Sequence, residues 1–251
     1  MKVEIKSQTE FSLVANDGAR IAGVCHSPQR PTKVAVVLVH GLTGHMCQYF
    51  HIMLGTLLAR AGFAVFRFDQ YGDEDDQRKF HTSTIRSHVA DTKTVIEYVR
   101  SLGFEKVVLA GHSLGAPIAV EAADALVSGL ILLDPSGDPK DRINEWQVSD
   151  ERRGISFLDW RTRTILGEAW VEDARTFPDP YERLSQLECP VCIVAAERAE
   201  QMKFCERYRD AHVSKPDVLT IAGATHCFTE EGVVEDLGDA MAEWLQKSFQ
   251  F

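Results

Sequence analysis

Six short apolar runs constrain this chain more than anything else in it. Val34-Ala35-Val36-Val37-Leu38-Val39 is apolar at every position. A strand of that kind has no face fit for water and belongs in a sheet covered on both sides. Similar runs recur at Ala64 to Phe68, Val107 to Ala110, Leu130 to Leu133, Val191 to Ala195 and Val218 to Ile221. The gaps between them carry helical periodicity. Ile85, Val89, Val95, Ile96 and Val99 share one face, with Gly103 as the stop, and Val233, Leu237, Met241, Trp244 and Leu245 share another. Strands alternating with helices imply right-handed β-α-β crossovers, hence an α/β fold with a mostly parallel central sheet and helices on both faces. Ahead of the first run, Glu10 to Val14 and Arg20 to His26 flank Asn16-Asp17-Gly18, a hairpin turn signal.

The alternation breaks once, between Leu133 and Val191. That stretch is rich in charge and holds Trp146, Phe157, Trp160, Trp170, Phe177 and Tyr181. A connection so long needs structure of its own. We read 138–188 as a helical cap inserted into a core formed by 1–137 and 189–251. Its aromatics either line a pocket or make the cap's own small core. Arg152, Arg153, Arg161 and Arg163 are interspersed with acids and read as a solvated face rather than a grip on an anionic substrate.

Composition narrows the function classes. The chain of 251 residues suits a single α/β domain, and its net charge of −10 argues against a basic nucleic-acid footprint. No apolar run approaches the ~18 residues of a membrane span, and Met1-Lys2-Val3-Glu4-Ile5-Lys6 lacks the apolar core of a signal peptide. A cytoplasmic protein with neither a membrane nor a nucleic-acid partner is expected; self-association into a homo-oligomer is left open. The six cysteines (Cys25, Cys47, Cys189, Cys192, Cys205 and Cys227) are scattered through a chain large enough to build its own core. They read as small packed hydrophobes. The C-x-x-C at Cys189 to Cys192 opens a strand rather than a helix, and no second ligand pair supports a zinc site.

The chemistry centres on Gly111-His112-Ser113-Leu114-Gly115, a G-x-S-x-G placed after an apolar run and before the small-residue helical stretch Ala116 to Ala123. This is the strand–turn–helix setting of a nucleophile elbow. The glycines let strand and helix approach while the serine occupies a strained turn. A serine hydroxyl needs a general base. Among nine histidines, His226 follows the last strand run, and loops at the carboxyl ends of parallel strands converge on one crevice. His81, His88 and His212 read as surface residues; His112 belongs to the elbow; His45 and His51 flank the first crossover. His40-Gly41-Leu42-Thr43-Gly44 ends the first long strand. Backbone N–H groups of Leu42 and Leu114 there could hold the oxyanion of a tetrahedral intermediate, or the glycines could serve the turn alone.

These motifs, together with Arg67-Phe68-Asp69 and Gly223-Ala224-Thr225-His226-Cys227-Phe228, make the chain resemble the α/β-hydrolase superfamily over nearly its full length. Within it, the chain is most similar to small bacterial cinnamoyl (feruloyl) esterases. The resemblance implies Ser113 as nucleophile, His226 as base, Leu42 and Leu114 as oxyanion donors, and no metal or organic cofactor.

Two departures stand out. Relatives place the triad acid after the strand matching Val191 to Ala195; here that stretch reads Ala196-Glu197-Arg198-Ala199, with alanine at the expected position. Asp134, at the end of the adjacent strand run, is the favoured replacement, because other branches of the superfamily carry the acid there. Glu197 and Glu200 are the alternatives, and Asp134 could instead only cap the turn Asp134-Pro135-Ser136-Gly137. The second departure is Gly72-Asp73-Glu74-Asp75-Asp76, where relatives carry a glycine-histidine-glycine turn; without a ligand pattern it reads as a solvated loop. The expected activity is hydrolysis of a small-molecule carboxylic ester, apolar or aryl, through an acyl-serine. The same machinery acting on a thioester, lactone, amide or carbon–carbon bond, and a non-catalytic binding protein, remain alternatives.

Overall fold

The hairpin signal at the start of the chain folds as a hairpin. In the computed structural model, β1 (Ser7–Val14) pairs antiparallel with β2 (Arg20–Ser27), and Gly18 supplies the turn at a φ of 87°. The structure describes residues 6–150, 152, 155–160 and 162–249, with backbone alone at 155, 158–160, 162 and 163. Next come β3 (Val34–Val39), α1 (Tyr49–Arg60), β4 (Ala64–Phe68), α2 (Ile85–Ser101), β5 (Lys106–His112), α3 (Gly115–Ala122) and β6 (Gly129–Leu133). Thr84 caps α2 by accepting from the Ser87 amide, and Gly103, at a φ of 90°, turns the chain away from its end.

The inserted stretch is mixed rather than purely helical. It holds α4 (Pro139–Trp146), a three-stranded antiparallel sheet of β7 (Gln147–Asp150), β8 (Ile155–Trp160) and β9 (Thr162–Leu166), then α5 (Glu168–Arg175) and α6 (Pro180–Ser185). The chain closes with β10 (Val191–Ala196), α7 (Met202–Ala211), β11 (Val218–Ile221) and α8 (Val233–Phe249).

The main sheet has eight strands in the order β1-β2-β4-β3-β5-β6-β10-β11. From β4 to β11 every pairing is parallel, and the two N-terminal strands add an antiparallel edge. β3 shows why its run had to be wholly apolar. Ala35, Val37 and Val39 join a core with α2, α3 and α7, while Val34, Val36 and Leu38 pack under α1 and α8. On the second face Leu54, Leu58, Leu237 and Leu245 are completely buried, each stabilising the fold by about 2 kcal/mol. Gly238 lets α8 approach α1: a Cβ there would lie 2.8 Å from Leu57 Cδ1.

The inserted segment shares the first core. Val171, Phe177, Tyr181 and Leu184 are buried in the same cluster as α2 and α3. Asp173 accepts from the Arg86 amide at 2.7 Å and pairs with the Arg86 guanidinium, fastening α5 to the first turn of α2. Arg152 is exposed, in keeping with a solvated face, whereas Arg153 and Arg161 lie outside the described residues, as does the side chain of Arg163. Among the described residues, no helix is long and apolar enough to cross a membrane.

Candidate active site

Ser113 sits between β5 and α3 at a φ of 54°, a left-handed conformation that costs a non-glycine residue energy. The flanking glycines are obligatory. A Cβ on Gly111 would lie 2.2 Å from the Gly115 carbonyl oxygen, and one on Gly115 would lie 2.2 Å from the Val39 carbonyl oxygen. The Ser113 amide donates to the Leu133 carbonyl at 3.0 Å, and the Ser136 amide donates to the Ser113 carbonyl at 3.1 Å. These bonds tie the elbow to the end of β6.

Asp134 stands at that end, also left-handed, at a φ of 39°. It is fully buried. Its amide donates to the Val194 carbonyl at 2.6 Å, and its Oδ1 accepts from the Ala196 amide at 3.1 Å. Its Oδ2 lies 2.5 Å from Nδ1 of His226. The carboxylate therefore bridges to the next strand with one oxygen and meets the imidazole with the other, rather than capping its own turn. Glu197 is engaged elsewhere, accepting from the Gly223 amide at 2.7 Å. Glu200 and Ala199 line an outer pocket at whose edge His226 lies.

His112 holds the His226 loop against the elbow. Its Nε2 is 2.7 Å from the His226 carbonyl oxygen, and the two rings are 4.8 Å apart. A carbonyl only accepts, so Nε2 carries the proton. Burial, and then the neighbouring His226, push the His112 pKa down to about 3, so this ring stays neutral beside His226.

Gly41 approaches the elbow so closely that a Cβ on it would lie 3.0 Å from Ser113 Cβ. This puts the backbone of the β3–α1 loop beside the serine, with Leu42 and Leu114 lining the same cavity as Ser113. Thr43 in that loop takes a φ of 55°. His40 braces it: Nδ1 donates to the Gly41 carbonyl at 2.9 Å, and Nε2 accepts from the Gln70 amide at 3.2 Å. The Gln70 side chain returns a bond to the His40 carbonyl at 2.8 Å. Burial lowers the His40 pKa to about 4 and keeps the ring neutral. Further along, Asp69 accepts from the Met46 amide at 2.6 Å, and Arg67 donates to His26 Nε2 at 2.8 Å and to the Met46 carbonyl.

The cavity over Ser113 is walled mainly by apolar side chains, including Leu42, Ile143, Trp146 and Trp170. Among the inserted aromatics Trp146 and Trp170 line the cavity, and Trp170 also belongs to the core cluster that holds Phe177 and Tyr181. Ser136, Arg142 and Gln201, which sequence reasoning did not single out, also line it. The i, i+4 spacing of Arg142 and Trp146 was the available signal.

Two surface expectations are corrected. His88 and His212 are each only 2 % exposed, His88 packed near Tyr71 and His212 bonded through Nδ1 with Ser214. His81 is exposed, and His51 is buried against Phe50. The acidic loop is exposed from Asp73 to Asp76, with Asp76 paired to Arg20. Among the described residues, no cluster of three or more His, Cys, Asp or Glu could hold a metal ion.

Comparison with solved structures finds the same architecture repeatedly. The ferulic acid complex of Est1E from Butyrivibrio proteoclasticus superposes with a TM-score of 0.82 at 22 % identity, covering 96 % of this chain and 100 % of that one. An esterase domain from a Rhodothermus marinus protein gives 0.74 at 14 % identity, over 96 % and 98 % of the two chains. A dienelactone hydrolase from Anabaena variabilis gives 0.70 at 14 %, over 96 % and 98 %. At these identities the likeness is one of fold. No curated protein matches the sequence. The model of the alpha/beta hydrolase family matches residues 36–242, and the chain belongs to that family.

Proposed function

We propose that the protein hydrolyses small-molecule carboxylic esters through an acyl-serine intermediate. The observation that carries this reading is the 2.5 Å contact of His226 Nδ1 with the buried Asp134 carboxylate, in the loop that His112 holds beside the Ser113 elbow. In the proposed cycle Ser113 Oγ bonds to the ester carbonyl carbon while His226 Nε2 takes the hydroxyl proton. Asp134 accepts the Nδ1–H throughout, fixing the tautomer and stabilising the imidazolium. The Leu42 and Leu114 N–H groups receive the oxyanion, each worth roughly 2.7–4 kcal/mol. Collapse of the tetrahedral intermediate breaks the carbon–oxygen bond to the leaving group, which leaves as the alcohol with the proton from His226. Water then attacks the acyl-serine, giving its proton to His226; breaking the carbon–Oγ bond releases the acid while His226 returns that proton to Ser113 Oγ.

No step calls for a metal, an organic cofactor, a nucleic acid or a membrane. Residues 138–188 serve as the cap in this reading, since Ile143, Trp146 and Trp170 roof the cavity and suit an apolar or aryl acyl group. The ferulic acid held by Est1E is a compound of that class. Cys25, Cys47, Cys189, Cys192 and Cys205 form no disulfide among the described residues, which suits a reducing compartment such as the cytoplasm. Hydrolysis of p-nitrophenyl butyrate is the first test. Wild type is expected to turn over, and Ser113→Ala to lose at least about 10⁴-fold. A wild type without activity on simple alkyl and aryl esters would overturn the reading.

A further inference from the structure

The cavity over Ser113 contains a feature that ester hydrolysis does not use. Two of its lining side chains bury an N–H donor that has no partner among the described residues: Nε of Arg142 and Nε1 of Trp170. Trp170 is 4 % exposed. Arg142 is held in place by its surroundings. Its guanidinium carbon lies 4.6 Å from the centre of the Trp146 ring and 4.7 Å from that of Phe204. Its Nη2 pairs with Glu145 at 2.8 Å. The ion pair uses one nitrogen and leaves Nε unserved. Both residues stand on helices of the inserted segment, α4 and α5, and line the same cavity as Ser113.

A buried donor without an acceptor is costly, and a ligand oxygen that reaches it recovers part of that cost. Both unserved groups donate, and neither can accept. An all-hydrocarbon acyl group would leave both unpaired. An acyl group carrying an oxygen acceptor away from the ester would satisfy them. The Glu145 carboxylate already offsets the charge of Arg142, so the preference is for an acceptor, charged or neutral, rather than for an anion as such.

We propose that Arg142 Nε and Trp170 Nε1 form a specificity subsite for a hydrogen-bond-accepting oxygen on the acyl chain, such as a ketone or carboxylate a few carbons from the ester. This inference rests on the acyl-serine reading only for the position of the ester carbonyl.

The test separates the two. Binding of methyl 5-oxohexanoate, monomethyl glutarate and methyl hexanoate to the Ser113→Ala protein is measured by calorimetry, and hydrolysis of the same esters by wild type is followed in parallel. The oxo ester and the glutarate are expected to bind about tenfold more tightly than the hexanoate. That advantage should fall to within about threefold in Ser113→Ala/Arg142→Met and in Ser113→Ala/Trp170→Phe, which keep apolar bulk but lose the donor. Equal binding of all three esters would overturn the subsite, as would an advantage that survives both substitutions. A gain for glutarate alone would also overturn it, since an N–H pair serves a ketone as well. If Arg142→Met fails to fold, the Trp170→Phe comparison decides. Failure of wild type to hydrolyse any of the three would sink the ester reaction and leave the binding result standing.

Discussion

Replacing Asp134 by asparagine exchanges one carboxylate oxygen for an NH₂ group and removes the negative charge, with almost no change of shape. The two carboxylate oxygens have different duties: Oδ1 accepts from the Ala196 amide at 3.1 Å, and Oδ2 faces His226 Nδ1 at 2.5 Å. In Asp134→Asn the amide oxygen must stay with the Ala196 N–H, because an amide nitrogen there would meet a donor. The NH₂ group then faces Nδ1 and can only donate to it. His226 is forced to accept at Nδ1 and to carry its proton on Nε2, where a general base must be empty. The fold keeps its hydrogen bond to β10, so the loss should appear in chemistry rather than in stability. We expect kcat on p-nitrophenyl butyrate to fall by about 10³- to 10⁴-fold, the latter equivalent to roughly 5.5 kcal/mol of transition-state stabilisation. KM should change little, because the substituted atom contacts the histidine and not the ester. Steady-state kinetics with thermal unfolding on the same samples makes the measurement. A loss smaller than about tenfold with an unchanged melting temperature would refute the assignment of Asp134.

Further outcomes follow from the same geometry. Glu197→Gln and Glu200→Gln should each hold kcat within about threefold of wild type, because neither carboxylate occupies His226 Nδ1; a fall near that of Asp134→Asn would make one of them the acid. Asp134→Asn/Ala199→Asp should recover at least about tenfold over Asp134→Asn alone, since Ala199 lines the outer pocket that His226 also borders; no recovery would mean that a carboxylate there cannot reach the ring. Gly115→Ala drives a Cβ to 2.2 Å from the Val39 carbonyl oxygen. About 3 kcal/mol lost, or a melting temperature about 6–12 °C lower, is expected by calorimetry, and an unshifted transition would contradict the packing.

Acid should destabilise the fold through its neutral histidines. Burial holds His40 near 4 and His112 near 3, below the ordinary value of 6.5. From pH 6.5 down towards 4 the unfolded chain therefore gains protons that the folded chain refuses, and stability falls as pH falls. By pH 5 each costs about 2 kcal/mol, or about 4 kcal/mol together. Urea midpoints that do not drop between pH 7 and 5 would show that these rings are not held neutral by the fold.

How much the chain discloses about itself depends on which forces set each feature. The inner strands are legible because burial on both faces leaves no polar position: Val34 to Val39 coincides with β3 and Val191 to Ala195 falls within β10, both buried throughout. The elbow was legible because only glycine fits at 111 and 115. The inserted segment was less so. Gln147 to Asp150 is a four-residue strand without an apolar face, paired only within its own small sheet, so periodicity gives it no signature. His88 and His212 looked like surface residues because their burial depends on what packs over them from elsewhere in the chain. Asp134 could be narrowed to one of a few strand-end carboxylates; its meeting with His226 depends on the left-handed backbone that turns it inward, and neighbouring residues do not encode that turn in a readable way. The unserved nitrogen of Arg142 has no signature in the sequence, because it is defined only by the walls around it.

The central claim is that Ser113 carries the acyl group. Peptide-level mass spectrometry after treatment with a fluorophosphonate probe tests it most directly. We predict one adduct per chain, on the peptide containing Ser113, absent from Ser113→Ala and formed far more slowly in Asp134→Asn. A folded, purified protein that gains no adduct, or gains it on another residue, would contradict the account.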